Sequence, residues 1–133
     1  MNRHMERGEN MGTSYKGDSP TFKSIRENLD VAKEKYPYRN GYFGTKGQGR
    51  EFTRNIQSTD PVKEAKTFYD TMTYGGIESS MPNGKGKTTR LADGSIISYR
   101  EISSSDGTSV VELNIKKSKD AAGIKYQKIH FVQ

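Results

Sequence analysis

The sequence predicts an α+β fold, with two N-terminal helices packed on a four-stranded antiparallel sheet. Three observations carry this. Apolar residues recur at three- and four-residue spacing over 19–36 and again over 60–74. After residue 87 the apolar period changes to two, the period of a half-buried strand. Asp93-Gly94, between two such alternating stretches, is a strong short hairpin signal.

The elements follow in order. Residues 1–18 carry scattered glycines and charges with no periodicity, and read as a flexible lead ahead of one domain spanning 19–133. Ser19 supplies a helix cap and Pro20 suits the first helical position. Phe22, Ile25, Leu29, Ala32 and Tyr36 then form one stripe, which Pro37 ends. Residues 40–57 read as a long connection. Gly41, Gly44, Gly47 and Gly49 alternate there with Tyr42, Phe43, Lys46, Arg50 and Arg54, a composition able to bring backbone close to a ligand. The second helix opens on Asp60-Pro61 and presents Val62, Ala65, Phe68, Tyr69 and Met72 until Gly75-Gly76 stops it. A loop over 77–86 leads to strands at 87–92, 95–101, 108–116 and 124–132.

Composition bounds the function. The 133 residues are 30% apolar, with a mean hydropathy of −0.95, a lean core for this length. No stretch of 18 apolar residues is present, so no membrane partner is expected. Residues 1–12 lack the apolar region of a signal peptide, so export would depend on a larger parent chain or another component. The absence of cysteine excludes disulfides, thiolate metal sites and thiol nucleophiles. Of the net charge of +6, residues 82–133 contribute nine basic against five acidic side chains, and residues 1–81 thirteen against eleven. The excess in the last third points to a polyanion.

Strand alternation assigns the two faces of the sheet. Ile97, Tyr99, Val111, Leu113, Ile115, Ile129 and Phe131 belong inside. Ser98, Arg100, Glu112, Asn114, Lys128 and His130 then share the outer face. Alternating charge on a strand is ordinarily a solvated surface. This set, however, holds an imidazole, a carboxylate, two cations and a hydroxyl, which are the parts of phosphodiester cleavage: a base, an acid and charge to stabilise the phosphorane. His130, Arg100, Lys128 and Glu112 are the candidate catalytic residues. Ser98, Ser103, Ser105, Thr108, Lys85 and Lys87 are the candidate substrate-binding residues. The stretch NGKGKTT at 83–89 lacks the full phosphate-loop pattern and no helix follows it. With His4 in the lead, His130 is the one useful imidazole, so a zinc-type constellation is not expected, and no metal or cofactor is assigned.

Four runs together resemble a known family: LADGSIISYR at 91–100, SSSDG at 103–107, VVELNI at 110–115 and QKIHFV at 127–132. With GYFG at 41–44, RNI at 54–56, Asp60-Pro61 and residues 68–76, the resemblance covers about residues 38–133. It is to the C-terminal toxin domains of bacterial polymorphic toxins, closest to those of LXG-type secreted proteins. The LXG region itself is absent. The resemblance implies a secreted domain that acts in the cytoplasm of a competing cell and is held harmless in its producer by a cognate immunity protein. It also implies a nuclease, with a compact fold of the barnase, colicin or RelE type.

Three functions follow as expectations. The first is metal-independent cleavage of RNA, whose own 2′-hydroxyl is the nucleophile. The second is a metal-dependent DNase, in which water attacks and Glu112, Asp106 or Asp93 would matter more. The third is a non-catalytic module that binds nucleic acid or a protein. An acidic immunity protein would suit the basic face in each case.

Overall fold

The computed structural model describes residues 25–102, 107–116 and 123–133. Among the described residues there are two α-helices, α1 (Ile25–Lys35) and α2 (Pro61–Thr73), a 3-10 turn over Pro82–Gly84, and nine strands. A two-stranded ribbon pairs β1 (Tyr38–Arg39) with β2 (Tyr42–Phe43). The main sheet has seven strands: β3 (Thr45–Lys46), β4 (Thr53–Gln57), β5 (Ile77–Ser80), β6 (Lys87–Arg90), β7 (Ile96–Arg100), β8 (Ser109–Asn114) and β9 (Gln127–Val132). Their spatial order is β3-β4-β9-β8-β7-β6-β5. Every pairing is antiparallel except β4 with β9, which is parallel.

The α+β class and the two helices agree with the sequence reading, but the sheet is larger and the chain order differs. The helices do not both precede the sheet, because β1 to β4 lie between them. Residues 40–57, read as a connection, supply three strands, and the loop expected at 77–86 begins with β5. Strands β2 and β3 have two residues each, β5 has one apolar residue in four, and β4 buries the polar Arg54 at an inward position, so none shows an apolar alternation. The N-terminal half of the first helix, including Ser19 and Pro20, lies outside the described residues, as does the lead.

Helix α2 begins as the sequence dictates. Asp60 Oδ1 accepts from the Lys63 amide at 3.3 Å and Pro61 takes the first turn. Its buried stripe is Ala65, Phe68, Tyr69 and Met72; Val62, 38% exposed, is not part of it. Helix α2 lies across β7, β8 and β9, and α1 packs on α2. Asn28, fully buried on α1, donates from Nδ2 to the carbonyls of Met72 and Tyr74 at 2.9 and 3.0 Å. It thereby satisfies acceptors that the end of α2 would otherwise strand in the core. Phe68 sits at the centre of the core, its ring 5.1, 5.0 and 5.6 Å from those of Tyr36, Phe43 and Phe131.

The segment 40–57 is held by a buried cation. Arg54, on the inner face of β4, donates from Nε to the Phe43 carbonyl (3.0 Å) and from Nη2 to the Gly44 carbonyl (3.1 Å). Its Nη1 reaches the Glu51 carbonyl at 3.1 Å and the Glu51 carboxylate at 3.2 Å. The guanidinium carbon lies 4.8 Å from the Tyr42 ring centroid. Gly44, at φ +65°, passes so close to β4 that a Cβ there would stand 2.1 Å from the Asn55 carbonyl oxygen. The glycines and cations that read as a ligand loop therefore include one glycine and one arginine committed to backbone crossing.

Candidate functional site

The face of the sheet opposite α2 is built by register. Across it, Ser79, Thr88, Ser98, Glu112, Lys128 and Thr53 stand opposite one another on six adjacent strands. The next row in the direction of β9's C-terminus runs Arg100, Val110, His130, Asn55 and Thr45. Five residues assigned to this face from alternation, Ser98, Arg100, Glu112, Asn114 and Lys128, are half-buried or exposed on it. Glu112 and Lys128 are direct cross-strand partners of opposite charge. His130 is the diagonal neighbour of Glu112, at a separation of roughly 7–8 Å for such positions.

His130 is on the expected face but is less open than alternation implies, with 6% of its surface exposed. Its Nδ1 lies 2.8 Å from Thr108 Oγ1, which joins the candidate binding hydroxyl to the candidate imidazole. Val110 beside it is also buried, so this corner of the outer face is covered while the Glu112–Lys128 pair is not.

Two aromatic residues complete the open part, and the sequence reading did not select them. Tyr126 donates from Oη to Glu112 Oε2 at 2.5 Å. Its ring meets that of Phe52 edge to face at 5.2 Å, and the Lys128 amide donates to the Phe52 carbonyl at 2.8 Å. Burial, then the hydrogen bond to Glu112 and that carboxylate's charge, push the Tyr126 hydroxyl up to about 12. Tyr126 therefore stays protonated at neutral pH and holds the Glu112 carboxylate by donation. Tyr126 comes just before β9, where the outward position is legible from alternation. Phe52 falls in the segment read as a loop, so nothing in the sequence places it beside Tyr126.

Other candidates lie elsewhere. Lys87 pairs with Tyr99 in register and so projects on the inner side of the sheet. Lys85 and Lys87 both line a cavity of about 430 Å³ beside α2 and do not join the outer face. One residue in a strand moves a side chain to the other face, and the loop at 81–86 sets that register. Ser98 is half-buried, with Oγ 3.3 Å from Thr88 Oγ1. Asp93, considered as a metal ligand, accepts from the Ser95 amide at 2.9 Å inside the β6–β7 turn. Ser103, Ser105 and Asp106 lie outside the described residues. Among the described residues no three His, Asp or Glu side chains gather as a metal site, and no described helix is long and apolar enough to cross a membrane.

Comparison of the chain with protein families, with curated proteins and with solved structures finds no match.

Proposed function

We propose that the open face of the sheet binds single-stranded RNA and cleaves it without a metal ion. The observation that carries this is the Glu112–Lys128 pair, with Tyr126 fixing the carboxylate and His130 one row away. Glu112 accepts the proton of a ribose 2′-hydroxyl. The freed oxygen attacks its own phosphorus, and the bond from phosphorus to the 5′-oxygen breaks. The imidazolium of His130 gives its Nε2 proton to that leaving oxygen, with Thr108 Oγ1 accepting from Nδ1–H. Lys128 and Arg100 stabilise the negative charge that grows on the phosphoryl oxygens. The exposed ring of Tyr126, backed by the half-buried ring of Phe52, gives a base a surface to stack on. Glu112 is the more open of the two proton-transfer groups and carries the larger share of the rate.

The resemblance to the toxin domains of LXG-type proteins supports placing this chemistry in a secreted toxin that acts in the cytoplasm of a competing cell. An α2-backed, mostly antiparallel sheet is compatible with the compact nuclease folds that the resemblance implies. An acidic immunity protein covering Arg100 and Lys128 would block the face by charge complementarity.

Incubating the purified protein with total RNA and with plasmid DNA, each with and without EDTA, tests the reading. RNA degradation that EDTA does not slow is expected. Cleavage of DNA that EDTA abolishes and magnesium restores would replace it with the DNase. Binding without turnover of either polymer would leave a non-catalytic module.

A further inference from the structure

The outer face continues one row beyond the Glu112–Lys128 pair, on the side away from His130. Ile96 stands opposite Asn114 there. The β8–β9 ladder pairs Leu113 with Gln127, so the next step brings Asn114 abreast of Tyr126. Among the described residues four large apolar side chains are exposed, and two of them, Ile96 at 37% and Tyr126 at 38%, stand on either side of Asn114. Asn114 is itself exposed. An amide set between two open apolar side chains, beside the Glu112 carboxylate, can read the edge of a planar group that those side chains support.

Tyr126 decides which part of a substrate lies here. Its hydroxyl is held on Glu112 Oε2 at 2.5 Å, so its ring leans from β9 toward β8. A nucleobase stacked on that ring has its ribose beside Glu112. It is therefore the base of the nucleotide whose 2′-hydroxyl attacks, on the 5′ side of the scissile bond. Tyr126, Lys128 and His130 alternate to the same side of β9, each two residues of strand advancing by about 6.6 Å. That step is close to one nucleotide of extended chain. It sets base, phosphate and leaving oxygen in order from Tyr126 to His130.

The chemistry of the amide decides which base. Asn114 offers one oxygen acceptor beside one NH2 donor. Adenine presents N6–H beside N7, which such an amide meets with two hydrogen bonds in one plane. Guanine presents O6 beside N7 on that edge, two acceptors, so the amide oxygen has no donor to meet. Cytosine and uracil have no N7 and give the tyrosine ring a smaller surface to stack on. We infer that this row is a subsite selecting adenine immediately 5′ of the scissile phosphate. Tyr126 and Ile96 support the base and Asn114 reads its N6–N7 edge. The inference rests on the RNA-cleaving reading of the outer face and specifies its substrate.

Oligothymidylates carrying a single ribonucleotide, with adenine, guanine, cytosine or uracil as its base, confine cleavage to one bond and fix the base on its 5′ side. With the whole chain, kcat/KM at the adenine substrate is expected to exceed that at each of the others by about tenfold, the scale of one bidentate contact. Replacing adenine with 7-deazaadenine keeps the stacking surface and removes the N7 acceptor, and should abolish most of that advantage. Asn114→Ala should bring the adenine substrate down to the level of the other three, with an unchanged urea midpoint because the side chain is exposed. Three results would overturn the inference: equal rates at the four bases, preference for a base other than adenine, or an adenine preference that survives both 7-deazaadenine and Asn114→Ala. Should no oligonucleotide be cleaved, the nuclease reading fails separately and affinity by fluorescence anisotropy decides the subsite. About tenfold tighter binding of the adenine oligonucleotide, lost in Asn114→Ala, then supports it, and equal affinity for the four overturns it.

Discussion

The segment 40–57 and the outer face of β7 to β9 have the same ingredients, cations interleaved with aromatic rings, and put them to opposite uses. In the first, carbonyl oxygens of Phe43, Gly44 and Glu51 converge on Arg54. The guanidinium is buried and spends its donors on the protein's own backbone. In the second, Lys128 and Arg100 sit on strands whose backbones pair with their neighbours in the ladder, and alternation turns both side chains to the outer face. Whether a cation is structural or available to a ligand thus depends on how many backbone acceptors its surroundings leave unmet.

Four measurements press on that contrast. The largest effect is expected from Glu112→Gln, which removes the proposed base and keeps the shape. RNA cleavage should fall by about 10²–10⁴-fold with the denaturation midpoint nearly unchanged; a variant that cleaves at the original rate would separate the Glu112–Lys128 pair from the chemistry. Arg54→Ala should do the reverse. It strands the buried Phe43 carbonyl and two part-buried ones, and an unmet buried acceptor costs about 1–3 kcal/mol, so urea denaturation should show a loss of about 2 kcal/mol or more. A loss below about 1 kcal/mol would show that water replaces the guanidinium easily.

A smaller effect is expected from Lys128→Ala and Arg100→Ala. Each should weaken RNA binding and reduce the slope of log affinity against log salt by about one, with little change in stability. An unchanged slope would mean that the outer cations do not touch phosphate. The smallest effect concerns alkaline pH. Tyr99 and Tyr126 both have folded-state pKa values raised to about 12 from an ordinary 10.0. Above pH 10 the unfolded chain loses protons that the folded chain keeps, so the stability fully present below pH 10 declines toward pH 12. Tyr126→Phe should make that decline shallower in a series of thermal melts; an identical decline would assign it to other groups.

How much was legible follows from element length. Helix α2 was readable because Asp60, Pro61 and four buried positions repeat one message over thirteen residues. Strands β7, β8 and β9, of five or six residues, display enough alternation to put Glu112 and Lys128 on one face. Strand β3, of two residues, displays none; β4 turns the polar Arg54 inward where an apolar residue would mark the core face; and β5 carries a single apolar residue, so the sheet was read as four strands where it has seven. The burial of His130 was likewise hidden, since alternation gives a side and says nothing of what covers it.

The sequence by itself determined the α+β class, both helices and the outward residues of the three long strands, because these are local consequences of side-chain period and capping. Tertiary structure alone decided the parallel β4–β9 pairing, the capture of Arg54, the meeting of Tyr126 with Phe52, and the removal of Lys85 and Lys87 to the opposite face. Each depends on contacts between residues brought together by pairing and register, which no local pattern encodes.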